Sequence, residues 1–336
     1  MSAAIATDLR RLAGQLLMTG IPGIELDAAT AQWLQASGVR AVCLRAANLR
    51  DAAQLTRLSA DLRRALGPQA LIAIDPAGVP SAYPAWLPQP PGAMDLCALG
   101  DAELANGTGA ATARGLRALG INWLLAPLIN LDTGAAQAFG GDPAQAAAMA
   151  QAWTAGCQAE GVACCARLYL PRHGAGGQLP SVDKTRSQLE EHDFVPFRQA
   201  ATRTASMMGA HVAYPALDAS QPANLSPAVM HGLLRQQWGY GGVLLTPGID
   251  AQGAHVGARA LLAGADMALL ADAAQLPAAL DDVGAALASG ALPLQAVGAR
   301  LQRLAAMAAR YPPASGVYAQ EAADRIIMAE ARRRCQ

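Results

Sequence analysis

The chain has 336 residues, of which 53% are hydrophobic and 15% charged. That length and apolarity allow one large domain with a sizeable core, which excludes an intrinsically disordered protein. Net charge is zero with the signs interspersed and no basic stripe, so the electrostatic footprint of a nucleic-acid or anionic-membrane binder is missing.

At the N-terminus, Asp8, Arg10 and Arg11 precede any apolar run, the reverse of a secretory signal peptide. No segment approaches the roughly 18 uninterrupted apolar residues of a membrane span, and a cytoplasmic location is expected. Six cysteines (Cys43, Cys97, Cys157, Cys164, Cys165 and Cys335) have neither zinc-ligand nor disulfide-framework spacing. They are predicted to be reduced, mostly buried thiols, with Cys164 and Cys165 on opposite faces of one strand. No metal and no cofactor is expected.

In chain order, residues 9–18 form an amphipathic opening, and Asp27 caps a helix reaching about residue 36. A short strand is predicted over 39–44. Residues 51–66 place Leu55, Leu58, Leu62 and Leu66 at helical spacing, and Gly67-Pro68 stops the helix. Residues 71–75 then form a buried strand ending in Asp75. The alternation continues with helix 108–119, strand 123–127, helix 143–161 capped by Asp142, and strand 162–170. Helix 189–208, strand 210–214, helix 226–238 and strand 243–245 follow, then helix 258–262, strand 267–270, and helices 276–289 and 293–311. Short strands that are apolar on both faces, separated by helices, imply a parallel sheet covered on both sides. No glycine-rich phosphate loop follows the first strand, so a closed (β/α)8 TIM-like α/β barrel is preferred to an open doubly wound sheet. The parse is a single barrel domain over 1–316 and a helical C-terminal tail over 317–336.

Several stretches resemble a known family. Leu116-Arg117-Ala118-Leu119-Gly120-Ile121-Asn122, Ala126-Pro127-Leu128-Ile129-Asn130-Leu131-Asp132 and Phe139-Gly140-Gly141-Asp142-Pro143 are similar to the "LRxLGIN…APVxDxD…RSFGxDP" signature of family 3 glycoside hydrolases. Gly14-Gln15-Leu16-Leu17-Met18, the run from Glu190 to Phe197, the run from Ala210 to Asp218, and Ala263-Gly264-Ala265-Asp266-Met267 extend the match over about residues 9–310. More particularly, the chain resembles the cytoplasmic β-N-acetylglucosaminidases of peptidoglycan recycling. The resemblance implies a barrel with its site at the C-terminal ends of the strands, and an amino-sugar or muropeptide ligand.

The departures from the family pattern fall on its chemistry. A retaining glycosidase needs a carboxylate nucleophile and a second proton-transfer group across the scissile bond. The resemblance puts the nucleophile on a Ser-Asp-Asp turn, where this chain has Thr246-Pro247-Gly248, so Pro247 stands at the nucleophile position. The family's acid/base loop, "HGDTxxDSH", is here His173-Gly174-Ala175-Gly176-Gly177-Gln178, shortened around Ala175, Gly176 and Gly177 and without the Asp-x-His pair. A sugar-contacting Lys-His-Phe-Pro is replaced by Leu168-Tyr169-Leu170-Pro171, and the Arg of "RSFG" by Gln137. Arg167 lies one position off, and strand alternation is expected to turn it away from the site.

Of the inherited site, Asp75, His173 and His211 remain as candidate ligand contacts. Each has a plain structural alternative, a loop cap for Asp75 and satisfied histidines for the other two. Arg172, in place of a family Gly, either recruits an anion or fills space. Asp250 is the fallback carboxylate, three residues beyond Pro247. That displacement moves it several ångströms from the nucleophile position, further than an attacking group tolerates.

The leading expectation is thus a catalytically inactive family 3-like barrel, a pseudoenzyme that binds an amino sugar or a protein partner. One alternative is an active retaining β-N-acetylhexosaminidase with a rewired site using Asp75 or Asp250. Another is a structural interaction protein with a filled pocket. No nucleic-acid or membrane partner is expected. An aromatic content of 4% argues against an extended polysaccharide groove, which usually offers stacking platforms.

Overall fold

The computed structural model describes residues 3–76, 86–87, 89–129, 131, 139–167, 179–248 and 256–335. Eight short strands run in parallel: β1 Leu17–Thr19, β2 Ala41–Leu44, β3 Leu71–Ile74, β4 Trp123–Leu124, β5 Ala163–Arg167, β6 Ser206–Met208, β7 Val243–Leu245 and β8 Ala268–Leu269. They pair in sequence from β1 to β7, and β8 pairs with β1. A single parallel bridge, Leu245 to Met267, joins β7 to the start of β8 and closes the ring. The fold is a (β/α)8 barrel.

Strand alternation sorts the side chains into two layers. Met18, Cys43, Ala73, Leu125, Cys165, Met208, Leu245 and Leu269 point into the barrel, while Leu17, Leu44, Ile74, Cys164 and Leu244 face the surrounding helices. Cys164 and Cys165 do lie on opposite faces. The N-terminal end is plugged by the helix Leu294–Arg310, whose Leu304, Met307 and Ala308, with the following Tyr311, pack against the inward layer.

Two polar residues hold that end together. Asn122, fully buried before β4, accepts from the Ile72 amide at 2.7 Å and donates to the Tyr311 and Ala70 carbonyls at 2.7 and 3.0 Å. Asp266, fully buried before β8, accepts from the Leu244 amide at 2.8 Å, from Arg303 at 2.6 Å, and from Arg235. A buried carboxylate is tolerated only when it is paired and hydrogen-bonded in this way.

Capping by Asp27 and Asp142 is as the sequence predicts, through the amides of Thr30 and Gln145, each at 2.7 Å. The first strand and the sixth are not where the sequence placed them. β1 lies at the end of the amphipathic opening, after the helix Ala3–Gly14. β6 is Ser206–Met208, inside the predicted helix 189–208, and the β-prone stretch 210–214 makes only isolated bridges. Val212 and Tyr214 from that stretch instead join Phe194, Val229 and Leu233 in a separate apolar cluster, with Phe194 edge-on to Tyr214 at 5.7 Å. Tertiary packing overrides strand propensity there. The helix Glu321–Arg334 docks on the helix Ala102–Ala118 through the buried Asp324, which pairs with Arg114, itself 2.7 Å from Glu160.

Candidate functional site

The C-terminal mouth is set by the residues two beyond each strand's last inward side chain. Ala73 of β3 points inward, so Asp75 does too; Cys165 of β5 points inward, and so does Arg167. The two meet, with Arg167 Nη1 2.7 Å from Asp75 Oδ1. Nη1 also donates to the Leu125 carbonyl at 3.3 Å, so the guanidinium arches over the end of β4. The side chains of Arg167 and Asp75 are only 9% and 11% exposed, which makes this a buried ion pair. The expectation that Arg167 faces away from the site is therefore corrected. It shares the inward parity of Ala163 and Cys165, and the strand's own alternation carries it to Asp75.

By the same parity Cys43 brings Arg45 to the mouth from β2. Its guanidinium reaches past β1 to β8, where Nη2 donates to the Leu270 carbonyl at 3.1 Å and Nη1 to the Ala271 carbonyl. Nothing in the sequence reading singled out Arg45, although it follows an inward Cys43 by two positions, and that spacing was the available signal. Burial pushes the Cys43 thiol, just below these groups, up to about 12. The Asp75 charge adds to that shift, and Arg45 and Arg167 oppose it.

At the end of β7, Thr246 is fully buried and its hydroxyl accepts from the Leu269 amide at 3.1 Å, tying β7 to β8. Pro247 and Gly248 follow, partly exposed. A β-carbon added at Gly248 would lie 3.6 Å from Arg45 Nη2 and 3.7 Å from Ala271 Cβ, an ordinary contact distance. The described part of this turn carries no carboxylate.

His211, the other described candidate, lies beyond β6. It is exposed in the loop after β6, and its Nδ1 lies 3.1 Å from Oδ1 of the buried Asn224. Arg172, His173, Ala175, Gly176, Gly177 and Asp250 lie outside the described residues. Among the described residues no group of three or more His, Cys, Asp or Glu side chains could hold a metal ion, and no helix is long and apolar enough to cross a membrane.

The comparisons with known proteins agree with this architecture. The chain is 33% identical to the β-hexosaminidase of Chromobacterium violaceum over 319 residues, 86% of each protein. It is 32% identical to the β-hexosaminidase of Bordetella avium over 288 residues, covering 76% of this chain and 79% of that one. A glycoside hydrolase family 3 β-N-acetylglucosaminidase from Paenibacillus superposes with a TM-score of 0.86 at 29% identity, covering 97% of this chain and 68% of the other. The glycosyl hydrolase family 3 N-terminal domain matches residues 8–307, and with that span of matched sequence on this barrel the chain belongs to glycoside hydrolase family 3.

Proposed function

We propose that this chain handles β-linked N-acetylhexosaminides, the class that the names of its relatives point to, at the C-terminal mouth of the barrel, and that it binds them without efficient hydrolysis. One observation carries the reading. Where the family pattern places a nucleophile, the turn after β7 offers Pro247 and Gly248, and the inward carboxylate of the described mouth, Asp75, is engaged by Arg167. Proline has no nucleophilic side-chain atom and glycine has no side chain. Losing a nucleophile alone commonly costs several orders of magnitude in rate. A muropeptide as the natural ligand, a cytoplasmic location and a regulatory protein partner belong to the same proposal.

A second reading is supported by the two relatives named β-hexosaminidase, which align over most of their length. It is a working β-N-acetylhexosaminidase whose nucleophile is Asp250 or Asp75. Turnover of an aryl N-acetyl-β-glucosaminide separates the two. Under the first, the purified protein releases phenolate at the buffer rate, and N-acetylglucosamine raises its melting temperature, because a ligand of the native state stabilises it. Release above buffer that is abolished by Asp250→Asn or Asp75→Asn establishes the second. A protein that neither turns over nor shifts is a structural interaction protein with a filled pocket.

A further inference from the structure

We propose that the barrel mouth carries an oxyanion site centred on Arg45, which takes the carboxylate or phosphate of a small anionic ligand. The proposal is independent of whether N-acetylhexosaminides are turned over. It starts from charge. The described mouth brings two guanidiniums, Arg45 and Arg167, against one carboxylate, Asp75, and that carboxylate lies 2.7 Å from Arg167. Arg45 forms no ion pair among the described residues; its side chain bonds only the carbonyls of Leu270 and Ala271. Carbonyl oxygens hold the fork in place but carry partial charge only, so among the described residues no carboxylate lies within ion-pair distance of this guanidinium.

Geometry makes that charge available. An arginine has five N–H donors, and two are used on the carbonyls, leaving three in a fork already fixed by its anchors. The side chain is partly exposed, and the described residues flanking it at the strand ends, Gly20, Gly248 and Ala271, are small. At Gly248 an added β-carbon would meet nothing closer than 3.5 Å, and at Gly20, at the end of β1, nothing closer than 3.8 Å. Ala271 supplies only a methyl group. A guanidinium that is preorganised, partly desolvated and flanked, among the described residues, by two glycines and an alanine suits a planar carboxylate or a phosphate, because charge-assisted bonds strengthen as water is excluded.

The test is calorimetric titration of the whole chain at constant ionic strength with inorganic phosphate, acetate, glucuronate and, as a neutral match of similar shape, glucose. Saturable heat for phosphate, or for acetate and glucuronate, supports the site, and the tighter class identifies the oxyanion. Gly248→Asp sets a carboxylate beside Nη2 without touching the carbonyl anchors, and it is expected to weaken anion binding at least tenfold. Gly248→Asn, of the same size and uncharged, retains it. Unlike Arg45→Gln, neither variant disturbs the β2 to β8 bonds, so folding does not confound the result. Equal binding of glucose and glucuronate, undiminished binding in Gly248→Asp, or no saturable heat for any anion overturns the proposal.

Discussion

Asp75 at the end of β3 and Arg167 at the end of β5 form a buried ion pair 2.7 Å long that passes over the intervening β4. Pairs of this kind are held against a large desolvation cost, so their removal is asymmetric. Arg167→Met takes the guanidinium away from the buried Asp75 carboxylate, and Asp75→Leu takes the carboxylate from the guanidinium; each is expected to cost about 3–5 kcal/mol in urea unfolding. The double variant, with both charges gone, is expected to recover most of that loss. Two single losses that simply add in the double variant would show that the pair is not coupled.

One helix contact in the barrel wall depends on two glycines. A β-carbon on Gly109 would sit 2.1 Å from the Trp153 carbonyl oxygen, and one on Gly156 would sit 2.0 Å from that of Asn106. The helices Ala102–Ala118 and Pro143–Ala159 thus touch backbone to backbone. A methyl group there cannot be absorbed by a rotamer change, because the opposing atoms are main chain. Gly156→Ala is predicted to destabilise by about 1–3 kcal/mol or more, against the roughly 0.5–1 kcal/mol by which the same change stabilises an exposed helix position. Thermal unfolding of Gly156→Ala beside Gly298→Ala, where no neighbour lies within 4 Å, measures the difference.

The fold was legible because the residues that carry the family signature are the ones that hold the scaffold. Asn122 of the "GIN" stretch bonds three backbone groups, Asp142 caps a helix, and Asp266 gathers two arginines and an amide. Their types and spacing follow from backbone requirements that a sequence shows directly. β1 escaped because it ends the amphipathic run 9–18, and β6 because it lies inside the predicted helix 189–208 while the β-prone 210–214 stretch competed for the sixth strand. The missing carboxylate at Pro247 could be read from sequence alone. The Asp75–Arg167 pair could not, because a shift of one residue along β5 inverts the face, and the inward register becomes visible only once Ala163 and Cys165 are seen inside the barrel.

The barrel's inward cysteines make the protein sensitive to alkali. Burial pushes the thiols of Cys43 and Cys165 from the ordinary 9.0 up to about 12, so the folded chain disfavours their thiolates. The sign follows from linkage. Below pH 9 both states keep these protons and the stability is intact; as pH rises from 9 towards 12 the unfolded chain releases them while the folded one does not, and stability falls. Urea midpoints are therefore expected to decline across that window, and Cys43→Ala with Cys165→Ala to flatten the decline. At pH 8 a disulfide-exchange reagent should modify the partly exposed Cys335 rapidly, leaving the five buried thiols to react only on unfolding. Rapid modification of Cys43 in the native protein would mean that water reaches the barrel interior beneath Arg45 and Asp75.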